Sequence, residues 1–143
     1  MALLPIKDTL SPDLARKLKA AGNRKPLLEA MGQAVKSLAI RAFTDEALRP
    51  STWAPRKKEP KDGHRLLQDS TMLRKSIRVI SASNSQVTIG SDRPYAAAHQ
   101  LGYAKNNLPA RPFLPFKPDG TLTPAGLTAV ERALRAGLKS QGL

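Results

Sequence analysis

At 143 residues the chain has one-domain length, and 41% hydrophobic against 4% aromatic composition calls for an aliphatic core. It has no cysteine, which excludes disulfides and thiolate metal sites, and no apolar run near the roughly 20 residues of a membrane span. A net charge of +13 suggests a polyanionic neighbour, either nucleic acid or an acidic protein surface.

Ser11-Pro12-Asp13 reads as a helix start: a capping hydroxyl, proline at the first helical position, and a carboxylate near the positive dipole end. Leu14 and Leu18 follow at i,i+4, and Gly22-Asn23 ends this short basic helix. Pro26 opens the main amphipathic helix, expected to run to about Leu48. Its stripe is Leu28, Met31, Val35, Leu38 and Ala42, widened by Leu27, Ala39 and Phe43. Residues 26–48 sum to −1, whereas 1–25 and 49–65 carry +4 each and 74–111 carry +5. The near-neutral helix therefore suits packing on a sheet or between subunits.

Residues 49–65 hold three prolines and a glycine, which deny them a regular ladder. They are expected to form a mobile basic arm with Trp53 as its anchor and Arg56, Lys57, Lys58, Lys61 and Arg65 as its cations. Leu66 to Lys75 should make a short helical turn. Ile77, Val79 and Ile80, then Val87 and Ile89, flank the turn signal Asn84-Ser85 and predict a β-hairpin. Tyr95 to Leu101 should be about one helical turn, closed by Gly102.

Four prolines interleave with Phe113, Leu114 and Phe116 in 109–118, which predicts an exposed extended edge segment, since proline cannot donate to a central ladder. Thr123-Pro124 opens a last helix with the face Leu127, Val130, Leu134 and Leu138. The expected class is α+β: a small antiparallel sheet, a main amphipathic helix, a C-terminal helix and a long basic loop. The whole of 1–143 is expected to be a single domain, its first 25 residues a basic helix.

Chemistry is sparse. His64 and His99 stand in no metal-ligand spacing, and no phosphate-binding glycine loop or nucleophile elbow occurs. The carboxylates are scattered, with Asp45-Glu46 the only adjacent pair, which reads as a solvated helix end. No catalytic set, metal site or cofactor is expected, and His99 reads as a structural histidine.

Three ordered stretches carry a family resemblance. Leu67 to Ile77 resembles a Leu-x-x-Thr/Ser-Gly-x-Leu-x-x-Ser-Ile turn, with Thr71 where glycine is usual, a change that favours a continuous helix. Val87 to Ser91 followed by Tyr95 to Gly102 resembles Val-x-Ile/Val-Gly-Thr/Ser and then Tyr-Ala-x-x-His-Gln-x-Gly. Pro109 to Leu114 matches Pro-Ala-Arg-Pro-Phe-Leu, and Phe43 followed by Trp53 adds an aromatic pair. Together they resemble the virion-morphogenesis, or tail-completion, family of Mu-like and related tailed bacteriophages.

The resemblance implies a structural role in tail completion and head–tail joining at the neck. It also implies a homo-oligomeric ring, a hexamer being favoured, with other neck or tail proteins as partners. The location implied is the virion, with the host cytoplasm during assembly and no membrane. Read physically, the 109–116 segment and the 49–65 arm are the expected assembly surfaces. Arg111, Phe113, Leu114, Phe116, Trp53, Tyr95 and His99 are the interface candidates, the alternative being that Phe113 and Leu114 cap the domain's own core. The rival reading is a nucleic-acid-binding protein whose arm makes sequence-independent phosphate contacts.

Overall fold

The computed structural model describes residues 10–53, 72–93, 96–102, 109–117 and 120–143. Its elements are α1 (Pro12–Ala20), α2 (Lys25–Ala42), α3 (Met72–Ser76), β1 (Arg78–Ala82), β2 (Val87–Gly90), α4 (Ala96–Leu101) and α5 (Pro124–Ser140), with a 3-10 turn at Glu46–Leu48. The class is α+β with a two-stranded antiparallel sheet.

Helix α2 lies between α5 and the hairpin. Its expected stripe is buried throughout, from Leu27 to Phe43, and the first half, to Val35, faces Val130, Leu134 and Leu138 of α5. Fully burying each such side chain stabilises by about 1.5–3 kcal/mol. Two glycines set the spacing. A Cβ on Gly137 would lie 2.7 Å from Leu27 Cδ2, and one on Gly32 would lie 2.6 Å from Val87 Cγ2 and 3.2 Å from Val79 Cγ2. They let α5 and the hairpin close on α2 from opposite sides.

Some helix ends depart from the expected caps, each for a physical reason. Ser11 does not cap α1 with its hydroxyl; its N–H instead donates to Glu131 Oε1 at 3.0 Å, tying α1 to α5. Thr123 does cap α5, its Oγ1 accepting from Gly126 N at 3.1 Å. Helix α2 has no cap of its own, and Asn84 Oδ1 in the hairpin turn accepts from the N–H groups of Arg24 and Lys25 at 3.2 and 2.8 Å. Its far end comes at Ala42 rather than Leu48. There Asp45 accepts from Ala47 N to start the 3-10 turn, while Arg49 donates to the carbonyls of Ala42 and Phe43. The stray carbonyls of the last turn thus find a guanidinium, and further helical residues are not needed.

The hairpin pairs Arg78 with Gly90, Val79 with Ile89, Ser81 with Thr88 and Ala82 with Val87. The register shift between Val79 and Ser81 leaves Ile80 as a bulge, and its side chain is 40% exposed. Residues 109–117 do not pair with this sheet, so the expected edge segment is not one. Their ladder pairing among the described residues is an isolated bridge from Phe116 to Leu122.

Candidate functional site

The motif stretches, as far as they fall among the described residues, converge at the C-terminal end of α2. Phe43 has no exposed surface, stands edge-on to Trp53 at 5.9 Å and lies 5.4 Å from Phe113. Leu73 and Ile77 from α3 and the residue after it, with Ala39, complete this second core, and Ile89, Ala96 and Leu114 pack against it. Ser76 and Ser91 share a hydrogen bond of 2.5 Å, which joins the end of α3 to the end of β2. Ser76 also donates to the carbonyl of Leu73.

The proline-rich segment is held by hydrogen bonds that a strand would have supplied otherwise. Pro109, Pro112 and Pro115 have no N–H to place. Arg111 N donates to the carbonyl of His99 at 2.7 Å. The N–H groups of Phe113 and Leu114 both donate to Gln100 Oε1 at 3.0 Å, and Phe116 N turns back to the carbonyl of Leu114. From the other side Trp53 Nε1 donates to the carbonyl of Pro112 at 2.7 Å. His-Gln on one segment and Arg-Pro-Phe-Leu on another are thereby two halves of one backbone clasp. Gly102, at φ 80°, ends α4 just beyond it in a conformation that favours glycine.

Burial decides between the two readings of the proline-rich segment, in favour of Phe113 capping the domain's own core and against exposed anchors. Phe113, Phe116 and Trp53 are 2%, 8% and 5% exposed, and Arg111 is 8% exposed. The aromatic side chains turn inward because the protein's own core is otherwise short of large apolar groups, with Phe116 joining the first core and Phe113 the second. Leu114 and His99 are half-buried. Of the 49–65 arm, Arg49 to Trp53 belongs to the packed structure: the Arg49 guanidinium lies 3.6 Å over the Trp53 ring. Burial lowers the Arg49 pKa, opposed by Glu46 and Asp45. Tyr95, Thr71, His64 and the cations Arg56, Lys57, Lys58, Lys61 and Arg65 lie outside the described residues.

His99 has its pKa lowered, first by burial and then by the neighbouring Arg111 charge. A neutral imidazole beside a buried guanidinium can orient and pack, a use that suits architecture better than proton transfer. No group of three or more metal-ligating side chains occurs among the described residues. Nor is any described helix long and apolar enough to cross a membrane.

Sequence reasoning misses Gln100, Arg49 and the capping role of Asn84. The signal for Gln100 is present: a segment that must bury phenylalanine yet has few N–H groups needs a local side-chain acceptor. For Arg49 and Asn84 the partners lie on other elements, and nothing local announces them.

The sequence model of the phage virion morphogenesis family matches residues 4–138, nearly the whole chain. No curated protein and no solved structure matches it.

Proposed function

The chain belongs to the phage virion morphogenesis family, and from that premise we propose that it is a non-catalytic structural component of a tailed phage, acting in tail completion and head–tail joining. The observation that carries this is the family match over 4–138, which takes in both cores and the clasp between 96–102 and 109–116. The residues the resemblance singles out spend their chemistry on architecture: Gln100 holds backbone, Trp53 and Phe113 fill a core, and Ser76 and Ser91 bind each other. That is the expected use of such residues in a part whose work is to present a rigid surface.

In this proposal the protein works as a ring of copies, a hexamer being favoured, seated in the finished virion at the neck between tail and head. Contacts with neighbours run over what the clasped segment leaves outside, namely exposed Ala110 and half-buried Pro109, Pro112 and Leu114. Two measurements test it together. Light scattering on the purified protein, with and without isolated tails, should give a ring mass in at least one condition. Gold-labelled antibody on intact virions should mark the head–tail junction. Label confined to the capsid faces or the tail tip would overturn the neck assignment.

A further inference from the structure

We infer that the outer face of α5, which carries Arg132, Arg135 and Lys139, is a docking surface for the phosphate backbone of duplex DNA, separate from the 49–65 arm. Helical geometry puts these cations on one face. At about 100° per residue, positions 132, 135 and 139 fall within an arc of about 60° and along about 10 Å of helix axis. All three are exposed. On the opposite side of α5 Val130 and Leu134 are buried, and Gly137 lies against Leu27 of α2.

Positive charge on this face is in surplus. Glu131 is the one carboxylate of α5, and it is half-buried at the flank toward α1. Its Oε1 accepts from Ser11 N at 3.0 Å, and its Oε2 lies 3.9 Å from Arg135. Arg132 and Lys139 make no ion pair among the described residues. The other described carboxylates are placed elsewhere. Asp13 faces Arg16 and Lys17, and Asp92 faces Arg78 and Arg93. Glu29 is exposed, but it stands two residues past Leu27, about 200° round α2 from the side that meets α5. Asp45 and Glu46 lie past the C-terminal end of α2, whereas Leu27 near its N-terminal end meets Gly137.

The choice of partner follows from what accompanies the charge. Beside the cations the face offers exposed Thr128 and the small Ala129 and Ala136, none of which can anchor a protein partner. A second copy would bring another +13 of its own. The described rings, Phe43, Trp53, Phe113 and Phe116, are buried, so none of them is free for the bases of a single strand to stack on. Small side chains between long cations let the helix lie close to a row of phosphates. These follow one another at about 3.4 Å along the axis for each strand, so the stripe spans about three of them, with no base to read.

The test uses the full chain and a labelled duplex of arbitrary sequence, followed by fluorescence anisotropy across a salt series. The triple variant Arg132→Gln, Arg135→Gln, Lys139→Gln is compared with Lys36→Gln, Lys75→Gln, Arg78→Gln, which removes the same charge from α2, α3 and β1 away from α5. The first should reduce the slope of log affinity against log salt by about 2–3, because each neutralised phosphate contributes roughly 0.9. Its affinity at about 0.1 M salt should fall about tenfold or more beyond that of the second. An unchanged slope overturns the assignment. An equal drop in both variants does so too, since net charge rather than this face would then be read. Tighter binding of a single strand or of polyglutamate than of the duplex by the wild type would give the face another partner and overturn it as well. Independently of any variant, bound duplex should shield Lys139 of the wild type from reductive methylation while Lys75 is labelled as in the free protein. Undiminished labelling of Lys139 overturns the assignment. A missing ring or a label away from the neck would sink the proposed function while leaving these readouts intact.

Discussion

Two cores share α2 and are assembled on different principles. Around its first half, Leu27, Leu28, Met31 and Val35 meet Val130, Leu134 and Leu138 of α5 and Leu14 of α1, all aliphatic or thioether side chains on regular helices. Around its last turn, Ala39 and Phe43 meet Trp53, Leu73, Ile77 and Phe113, drawn from irregular chain or from the ends of short elements. The first core rests chiefly on helical periodicity and close approach at two glycines, with Phe116 of the proline-rich segment added at its side. The second depends on polar devices, the Gln100 clasp and the Arg49 cap, to hold chain that has no ladder of its own. Ile89 and Leu114 touch both, so the cores form one continuous apolar interior with two styles of support.

Truncating the centre of each core probes how far that difference goes. Phe43→Ala removes a ring packed between two others and should cost about 3–5 kcal/mol. Leu134→Ala, also without exposed surface, should cost about 2–5 kcal/mol, since regular helices can partly close the cavity. Chemical denaturation gives both values, and hydrogen exchange locates the damage. The Phe43 variant should lose protection first in α3 and α4, while α5 stays protected. Uniform loss along the chain would mean that α2 transmits the defect and that the two cores unfold as one unit.

The clasp itself is the next largest effect. Gln100→Leu leaves the N–H groups of Phe113 and Leu114 without their acceptor, at about 1–3 kcal/mol for each group that water cannot reach. Gln100→Glu keeps an acceptor oxygen and should recover most of the loss. Equal destabilisation by the two variants would show that packing of the side chain, not its carbonyl oxygen, holds the segment. The corresponding change on the helical side is smaller. Asn84→Ala strips α2 of its borrowed cap and should cost about 0.5–2 kcal/mol, while Asn84→Asp should hold or gain because its carboxylate meets the helix dipole. Thermal melts of the three proteins distinguish these outcomes, and a neutral Asn84→Ala would mean that water caps α2 equally well.

Legibility in the sequence follows the same division. The stripes of α2 and α5 and the hairpin around Asn84-Ser85 are readable because their signals are local: a period near 3.6, a β-branched run and a turn dipeptide. The pattern overruns the end of α2 by six residues because its stop is made by Arg49, whose partners are backbone carbonyls invisible to periodicity. In the second core the motifs are recognisable, yet their purpose is not. Prolines suggest an exposed edge, whereas the few remaining N–H groups are taken up internally and free Phe113 to turn inward. With aromatics so scarce in the chain, burial of nearly any ring is the stronger expectation.

The smallest effect expected is electrical, and it belongs to the clasped core. Burial and the nearby Arg111 charge hold the His99 pKa below its ordinary value of 6.5, so the folded protein keeps this imidazole neutral where the unfolded chain would protonate it. Between those two pKa values the unfolded state binds more protons, and stability therefore rises with pH. Above the ordinary histidine range the contribution is fully present. It is lost progressively as pH falls through the unfolded value, and levels off below the folded one. Denaturation at about pH 7.5 and about pH 5.5, on either side of the ordinary histidine value, should show the wild type losing stability on acidification. His99→Gln, which keeps the backbone carbonyl that accepts from Arg111, should lose less over the same interval. Equal pH dependence in both proteins would remove His99 from the account and leave other groups as the source. A steeper loss in the wild type would assign the second core an acid sensitivity of its own, carried by the imidazole beside Arg111.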